Sequence, residues 1–170
     1  RTLEQLARFD DRIEAASKDA QYAPYVAALR ALRGIDTLSA MTILVELGDL
    51  RRFGTAPQLM AGLGVVPAEA STGNTQTRLP ITKTGNAHIR RILIEAAWNY
   101  TPRTVEGRTM KARRSGQPQA IIDIARKCDL RLNRKYHRMT SRGKRSTVAV
   151  VAIARELAGF IWAIGQIAHP

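Results

Sequence analysis

Residues 29–48 read LRALRGIDTLSAMTILVELG, two apolar runs at helical spacing that meet at Gly34-Ile35-Asp36. The first run restarts at Pro24 and places Tyr25, Val26, Leu29 and Leu32 on one short face. Proline suits that start, because the amide it lacks has no partner in the first turn of a helix. The second run is expected to be capped by Thr37 or Ser39, to carry Leu38, Met41, Thr42 and Val45, and to end at Gly48. Hydroxyl side chains close helix N-termini and glycine closes C-termini, so both boundaries are legible.

This pair resembles the helix-hairpin-helix motif, a tight Gly-hydrophobic-Gly turn between two helices. Ile35 would plug the gap, and Ala40 stands where a small residue is wanted. The turn at Gly34, Ile35 and Asp36 would expose amides beside a helix N-terminus, a natural seat for a phosphate oxygen. Asp36 replaces the second glycine. Its carboxylate repels phosphate and suits a helix cap instead, so a DNA-backbone contact and a purely structural hairpin stand level.

Upstream, Leu3, Leu6, Phe9, Ile13, Ala16 and Ala20 form one apolar stripe on a long N-terminal helix. An isolated helix of that kind is marginal, so it needs a partner helix or a preceding domain. Downstream, a short helix is expected from Thr55 to Gly62-Leu63-Gly64. Residues 65–85 lack helical periodicity and read as a loop, of a length that is often functional. From Asn86 a helix resumes, with Ile89, Ile92, Leu93, Ala96, Ala97 and Tyr100 on one face. Residues 101–117 read as polar loop. Ile121, Ala125, Cys128, Leu132, Tyr136 and Met139 mark a basic helix broken at Gly143, and a last helix near 146–166 is apolar nearly all round, hence core. The expected fold is all-α or nearly so: residues 1–28 as a helical, coiled-coil-like linker, residues 29–170 as the functional domain.

Composition narrows the class. Hydrophobic residues make up 45% of 170, enough for one core, and aromatics only 5%. No uninterrupted apolar run reaches the ~18 residues that span a bilayer. The single cysteine excludes an internal disulfide, and His88, His137 and His169 lie too far apart for metal-ligand spacing. No cofactor or metal is expected here. The chain opens at Arg1 without methionine, which reads as a fragment of a longer intracellular protein. Net charge is +13, and it is unevenly placed. Residues 1–50 hold 6 basic and 8 acidic residues, whereas residues 103–145 hold 14 and 3. Such imbalance repels itself unless a polyanion relieves it. With no membrane-binding amphipathic helix, that polyanion is nucleic acid.

Two elements carry the chemistry. Ser71-Thr72-Gly73 lies in the loop and is followed by Arg78, Lys83, Thr84 and Asn86, then by a helix bearing Arg90 and Arg91. A hydroxyl backed by cations and a helix N-terminus suits attack on a phosphodiester. Ser-Thr-Gly is also a common turn, and by chemistry alone the turn is the simpler reading. The second element is Arg126, Lys127, Arg131, Arg134, Lys135, Arg138, Arg142, Lys144 and Arg145, a broad surface for backbone phosphates. Asp123 and Asp129 within it read as intrahelical charge partners. Trp98, Tyr100 and Trp162 fit core packing better than base stacking.

Blocks in fixed order identify a family. Gly34-Ile35, Phe53, Leu59 to Gly62, Gly64-Val65-Val66-Pro67, Ser71-Thr72-Gly73, Ile81-Thr82-Lys83-Thr84-Gly85-Asn86, Arg90 to Trp98 and the Ala152 to Trp162 ending resemble the transposase domain of the insertion sequence 110/116/902 family, the bridge-RNA-guided recombinases. Residues 101–145 match least. The resemblance implies that Ser71, with Thr72 as the weaker candidate, is a nucleophile forming a covalent phosphoserine with DNA. It implies a missing N-terminal RuvC-like domain whose four carboxylates bind Mg²⁺. It also implies DNA and a structured guide RNA as partners, a homodimer or tetramer on nucleic acid, and a bacterial cytoplasmic setting. Two other classes fit the same residues: a non-catalytic helix-hairpin-helix module for DNA or RNA, and an RNA-scaffold protein using only the basic face.

Overall fold

The computed structural model describes residues 2–72, 75–102 and 105–169; for residues 69–72 and 75–78 it describes the backbone alone. Among the described residues the chain is nearly all-α, with eight helices and one two-stranded sheet. Helix α1 is Thr2–Ser17, α2 Ala23–Leu29, α3 Thr37–Leu47 and α4 Ala56–Gly62. Strands β1 (Pro67–Thr72) and β2 (Thr75–Ile81) follow, then α5 Ala87–Ala97, α6 Arg108–Arg114, α7 Gln119–Ser141 and α8 Ser146–Gly165. Short 3₁₀ turns cover Leu50–Arg52 and Trp98–Tyr100.

The core is organised around α8, which packs against α4, α5 and α7. It is long and apolar enough to cross a membrane by length and composition. Its faces are nevertheless taken up by neighbours: Val150, Ile153, Ala154, Leu157, Ala158, Ile161 and Ile164 are buried, so it is the central core helix. The apolar faces of α5 and α7 lie where the periodicity places them. Ile89, Leu93, Ala96, Ala97 and Tyr100 are buried, as are Ile121, Ala125, Cys128 and Leu132. Trp162 is half-buried and donates its indole N–H to the Phe53 carbonyl at 2.8 Å. Trp98 departs from the expected core position and is 42% exposed.

The turn between α2 and α3 buries Ile35 completely and places Ala40 in the core. Asp36 is the cap of α3, accepting from the Ser39 amide at 2.8 Å; its carboxylate takes the capping role that the sequence allowed it, in place of Thr37 or Ser39. The buried face of α3 is Ala40, Met41, Ile43, Leu44 and Leu47, while Leu38 and Val45 are exposed. This helix is apolar on most positions, so periodicity alone does not select the stripe. On α1 the expected stripe faces outward, with Leu3, Leu6 and Phe9 each more than half exposed. Only its C-terminal part, from the half-buried Ile13 to the buried Ser17, lies against the body of the fold.

Three segments differ from the sequence-based expectation. Residues 67–72 and 75–81 pair as antiparallel strands rather than a loop, Pro67 with Ile81, Glu69 with Arg78 and Ser71 with Gln76. Within the expected polar loop 101–117, α6 forms because Met110 and Arg114 are buried. Asp129 is no intrahelical partner: it is buried and accepts from Arg114 of α6 at 2.8 Å. Asp123 does bond within α7, to the neutral Gln119 at 2.7 Å.

Candidate functional site

The hairpin is seated on the helices by backbone contact. Gly64 and Gly85 both have positive φ, 65° and 77°. A Cβ on Gly64 would lie 2.1 Å from the Thr84 carbonyl oxygen, and one on Gly85 would lie 1.9 Å from that of Gly62. Only glycine fits either position. The strip is closed by Thr82 N–H donating to the Val66 carbonyl at 3.0 Å and Lys83 N–H to that of Gly64 at 3.1 Å. Arg90, from the first turns of α5, donates one guanidinium nitrogen to the carbonyls of Leu63 and Thr84 at 3.1 and 3.2 Å. It therefore straddles the two strand connections. Lys83 adopts φ 57° and is exposed.

Asn86 caps α5, accepting from the Ile89 amide at 2.9 Å. Its side-chain amide also donates to Glu46 at the end of α3, and His88 bonds the other carboxylate oxygen. The Asn86 bond first, and His88 second, hold the Glu46 carboxyl below its ordinary range. Helix α3, the connection after β2 and the start of α5 are thereby tied at one point. Thr84 hydroxyl bonds Thr82 at 3.1 Å. Arg91 pairs with Glu95 one turn on, at 2.9 Å on the surface.

Ser71 and Thr72 lie at the far end of β1, opposite Gln76 and Thr75. Ser71 is four residue steps along the strand from Pro67, about 13 Å at the rise of an extended chain. The side chains of Ser71, Thr72 and Arg78 lie outside the described residues. The base of the hairpin borders a groove of about 620 Å³ against α7 and α8. Pro67, Leu79, Pro80 and Ile81 form its hairpin wall, and Lys135, Lys144 and Arg155 supply its cations.

Helix α7 carries a second groove, of about 640 Å³, containing Arg126, Lys127, Arg131, Arg134, Lys135 and Arg138. Its cations divide into two sets. Arg131 and Lys135 converge on Glu156 of α8, and Arg126 reaches Glu106 at 3.3 Å. Burial would raise the Glu156 carboxyl, but the bonds from Arg131 and Lys135 outweigh it and hold it below the ordinary range. Arg134 and Arg138, with Lys144 and Arg145 in the following turn, are exposed and form no ion pair among the described residues. These four are free to meet an anion.

The turn after α2 is differently employed. The Ile35 amide donates to the Leu32 carbonyl, and the Ser39 amide to Asp36. Gly34, at φ 79°, lies against the Ala96 backbone. Among the described residues no three His, Cys, Asp or Glu side chains gather as a metal site.

Fold and site together define a basic helical domain that presents a glycine-locked hairpin beside cationic grooves. The model of the Transposase IS116/IS110/IS902 family matches residues 26–115, more than half of the chain. The chain belongs to that family. It is 46% identical to the Sinorhizobium fredii protein y4qE, which carries a transposase name, over 85% of this chain and 37% of that relative. It is 29% identical to the transposase for insertion sequence element IS1533 of Leptospira borgpetersenii, over 84% of this chain and 41% of the relative. A third relative, the transposase for insertion sequence element IS1111A of Coxiella burnetii, is 28% identical over 73% and 35% respectively. The chain thus spans about two fifths of the length of these relatives.

Proposed function

We propose that this chain is the DNA-handling part of an insertion-sequence transposase, and that Ser71 is its strand-cleaving nucleophile. The observation that carries the reading is the seating of the Ser71 hairpin: two glycines lock it to the backbone beside a groove containing Lys135, Lys144 and Arg155. A nucleophile on a hairpin so fixed keeps its position when DNA binds, and positioning is a large part of catalysis at phosphorus. Ser71 Oγ forms a bond to phosphorus as one bridging P–O bond breaks. The serine proton passes to solvent or a neighbouring base, and the departing DNA oxygen takes up a proton. Rejoining runs the same exchange with another DNA hydroxyl. Arg78 and Lys83 contact the phosphate, while Arg90 positions the hairpin through Leu63 and Thr84. Carboxylates holding Mg²⁺ belong to a RuvC-like domain elsewhere in the full-length protein. The assembly is a homodimer or tetramer on DNA, with a structured guide RNA, in the bacterial cytoplasm.

In the full-length protein, Ser71→Ala abolishes the covalent DNA–protein adduct and strand exchange while leaving DNA affinity within about twofold, since one uncharged hydroxyl contributes little to phosphate binding. An adduct that survives Ser71→Ala and disappears in Thr72→Ala moves the role to Thr72. Survival in both leaves only a binding module. The helix-hairpin-helix version of that module has less support, because the Ile35 and Ser39 amides already have protein acceptors.

Glu156 restrains the basic face. Glu156→Gln releases Arg131 and Lys135, so affinity for duplex DNA rises by roughly 2–5-fold, the equivalent of ~0.5–1 kcal/mol for one surface charge. The salt dependence steepens at the same time. Fluorescence anisotropy across a salt series reads both, and unchanged affinity would mean that these cations do not meet DNA. Because the folded-state pKa of Glu156 is lowered, its ion pairs are complete above the ordinary carboxyl range and are lost as pH falls through the lowered value.

A further inference from the structure

On the other side of the α2–α3 turn lies a pocket that shares no residue with the α7 grooves. It has a volume of about 450 Å³ and sits between the end of α2, α6 and the turn that follows α6. Arg30 and Arg113 face it, with Thr109, Ser115 and Gln117 around them. Arg30 is the unexplained residue. Its Nε is sealed from solvent with no hydrogen-bond partner, and none of its nitrogens forms an ion pair among the described residues. Arg113 spends one nitrogen on the Ile35 carbonyl at 3.2 Å and has no ion pair either.

Two guanidinium groups held in one partly buried space repel each other. Burial first, and the charge of Arg30 second, push the Arg113 pKa down, against the opposing field of Asp36. The Asp36 carboxylate does not resolve the conflict, because it is bonded to the Ser39 amide as the cap of α3. Thr109 and Ser115 hydroxyls and the Gln117 amide add further donors with no acceptor among the described residues. A cluster of unused donors around two unneutralised cations, one with a buried orphan, is complementary to an anion with several acceptor oxygens. Arginine forks match the oxygens of a phosphate. Ala27 and Ala112 complete the wall, and such short side chains leave the guanidinium groups open to a bulky phosphodiester.

We propose that the Arg30–Arg113 pocket binds a backbone phosphodiester of nucleic acid, as an anchor point separate from both the Ser71 hairpin and the α7 face. This rests on the reading of the chain as a nucleic-acid-binding domain and is independent of whether Ser71 is the nucleophile. The phosphate enters between the two guanidinium groups and accepts from their terminal nitrogens. The same pocket excludes bases from any role in selectivity, since all of its donors serve phosphate oxygens. It adds affinity without sequence preference.

The test uses this 170-residue chain with a 30-base-pair DNA duplex and an RNA hairpin of equal charge as probes, across a salt series. Arg30→Gln and Arg113→Gln each lower affinity for the preferred polymer about eightfold near 0.1 M salt and reduce the salt slope by about 1, as loss of one phosphate contact requires. Arg134→Gln on α7 calibrates the assay. Ser115→Glu, which puts a carboxylate at the pocket mouth and leaves both arginines in place, gives the same loss should the arginine variants fold poorly, and Arg30→Lys retains most of the slope. Loss with duplex alone assigns the phosphate to DNA, and loss with the hairpin alone assigns it to RNA. A normal response to Arg134→Gln with no response to Arg30→Gln or Ser115→Glu overturns the pocket only. Loss of inorganic phosphate binding, read by ³¹P NMR, with both polymers unaffected overturns it in favour of a small phosphoanion. A chain that binds neither polymer, in any variant, overturns the nucleic-acid reading itself.

Discussion

Asp129→Ala is expected to destabilise the domain by about 3–5 kcal/mol, the usual cost of removing one member of a buried ion pair and leaving the other unpaired. The pair is well defined. Arg114 is 3% exposed and Asp129 5%. Arg114 donates to Asp129 at 2.8 Å, to Glu106 at 3.0 Å and to the Ala31 carbonyl at 3.1 Å. Arg33 stands 3.5 Å from the second Asp129 oxygen. With the carboxylate gone, Arg114 keeps only Glu106 as counter-charge, and Arg33 has none. Helix α7 loses its ties to α6 and to the turn after α2 together. For a chain of this length the thermal midpoint falls by roughly 6–20 °C. Asp123→Ala, six residues earlier on the exposed face, costs no more than about 0.5 kcal/mol. Urea denaturation of both variants decides it: equal midpoints would mean that the buried network contributes nothing beyond what solvent supplies.

That network also explains what the sequence could and could not reveal. Helices α5, α7 and α8 are legible because each has a single buried stripe, and a stripe repeats at helical spacing whatever it packs against. The caps at Asn86, Thr55 and Gly48 are equally local. Asp129 is different. On α7 it reads as one more charge among arginines, and only the fold reveals that the side facing it holds Arg114. Helix α6 is hidden for the same reason, since Met110 and Arg114 are fixed by distant residues and show no period. On α3 the difficulty is reversed, because apolar residues on nearly every position offer several stripes and packing chooses among them. The hairpin escaped detection because its strands are short and carry many Thr, Ser and Gln residues, so no apolar alternation marks them. What the sequence does carry there is the glycine pair. Gly64 and Gly85 flank the strands, and their spacing becomes meaningful once the backbone contacts between them are seen. The Arg30–Arg113 pocket had no sequence signal at all, because its two arginines lie 83 positions apart and meet only through tertiary packing.

The glycine pair yields the second large effect. Gly64→Ala or Gly85→Ala should each cost about 2–5 kcal/mol, combining the ~1–2 kcal/mol penalty of a left-handed residue with the ~1–3 kcal/mol typical of overpacking. The overpacking is severe because the atoms met are backbone oxygens, of Thr84 at 2.1 Å and Gly62 at 1.9 Å, which cannot rotate aside. Gly143 separates the two contributions. It has φ 80° yet nothing lies within 4 Å of its added Cβ, so Gly143→Ala shows the backbone penalty alone. The two substitutions share one strip, so the double variant is less damaging than the sum, because the strip needs to part only once. Parting it has a consequence for chemistry that stability does not measure. The hairpin pivots about its base, and Ser71 lies about 13 Å along the strand from Pro67, so a small change of angle at the glycines becomes a displacement of an ångström or more at the proposed nucleophile. A shift of that size can cost about 10²-fold in rate. In the full-length protein, at a temperature where the variants remain folded, strand exchange should fall by that order while DNA affinity changes little. Exchange that declines only in step with the folded fraction would show that the glycine lock serves stability alone, and that the nucleophile is held by some other part of the assembly.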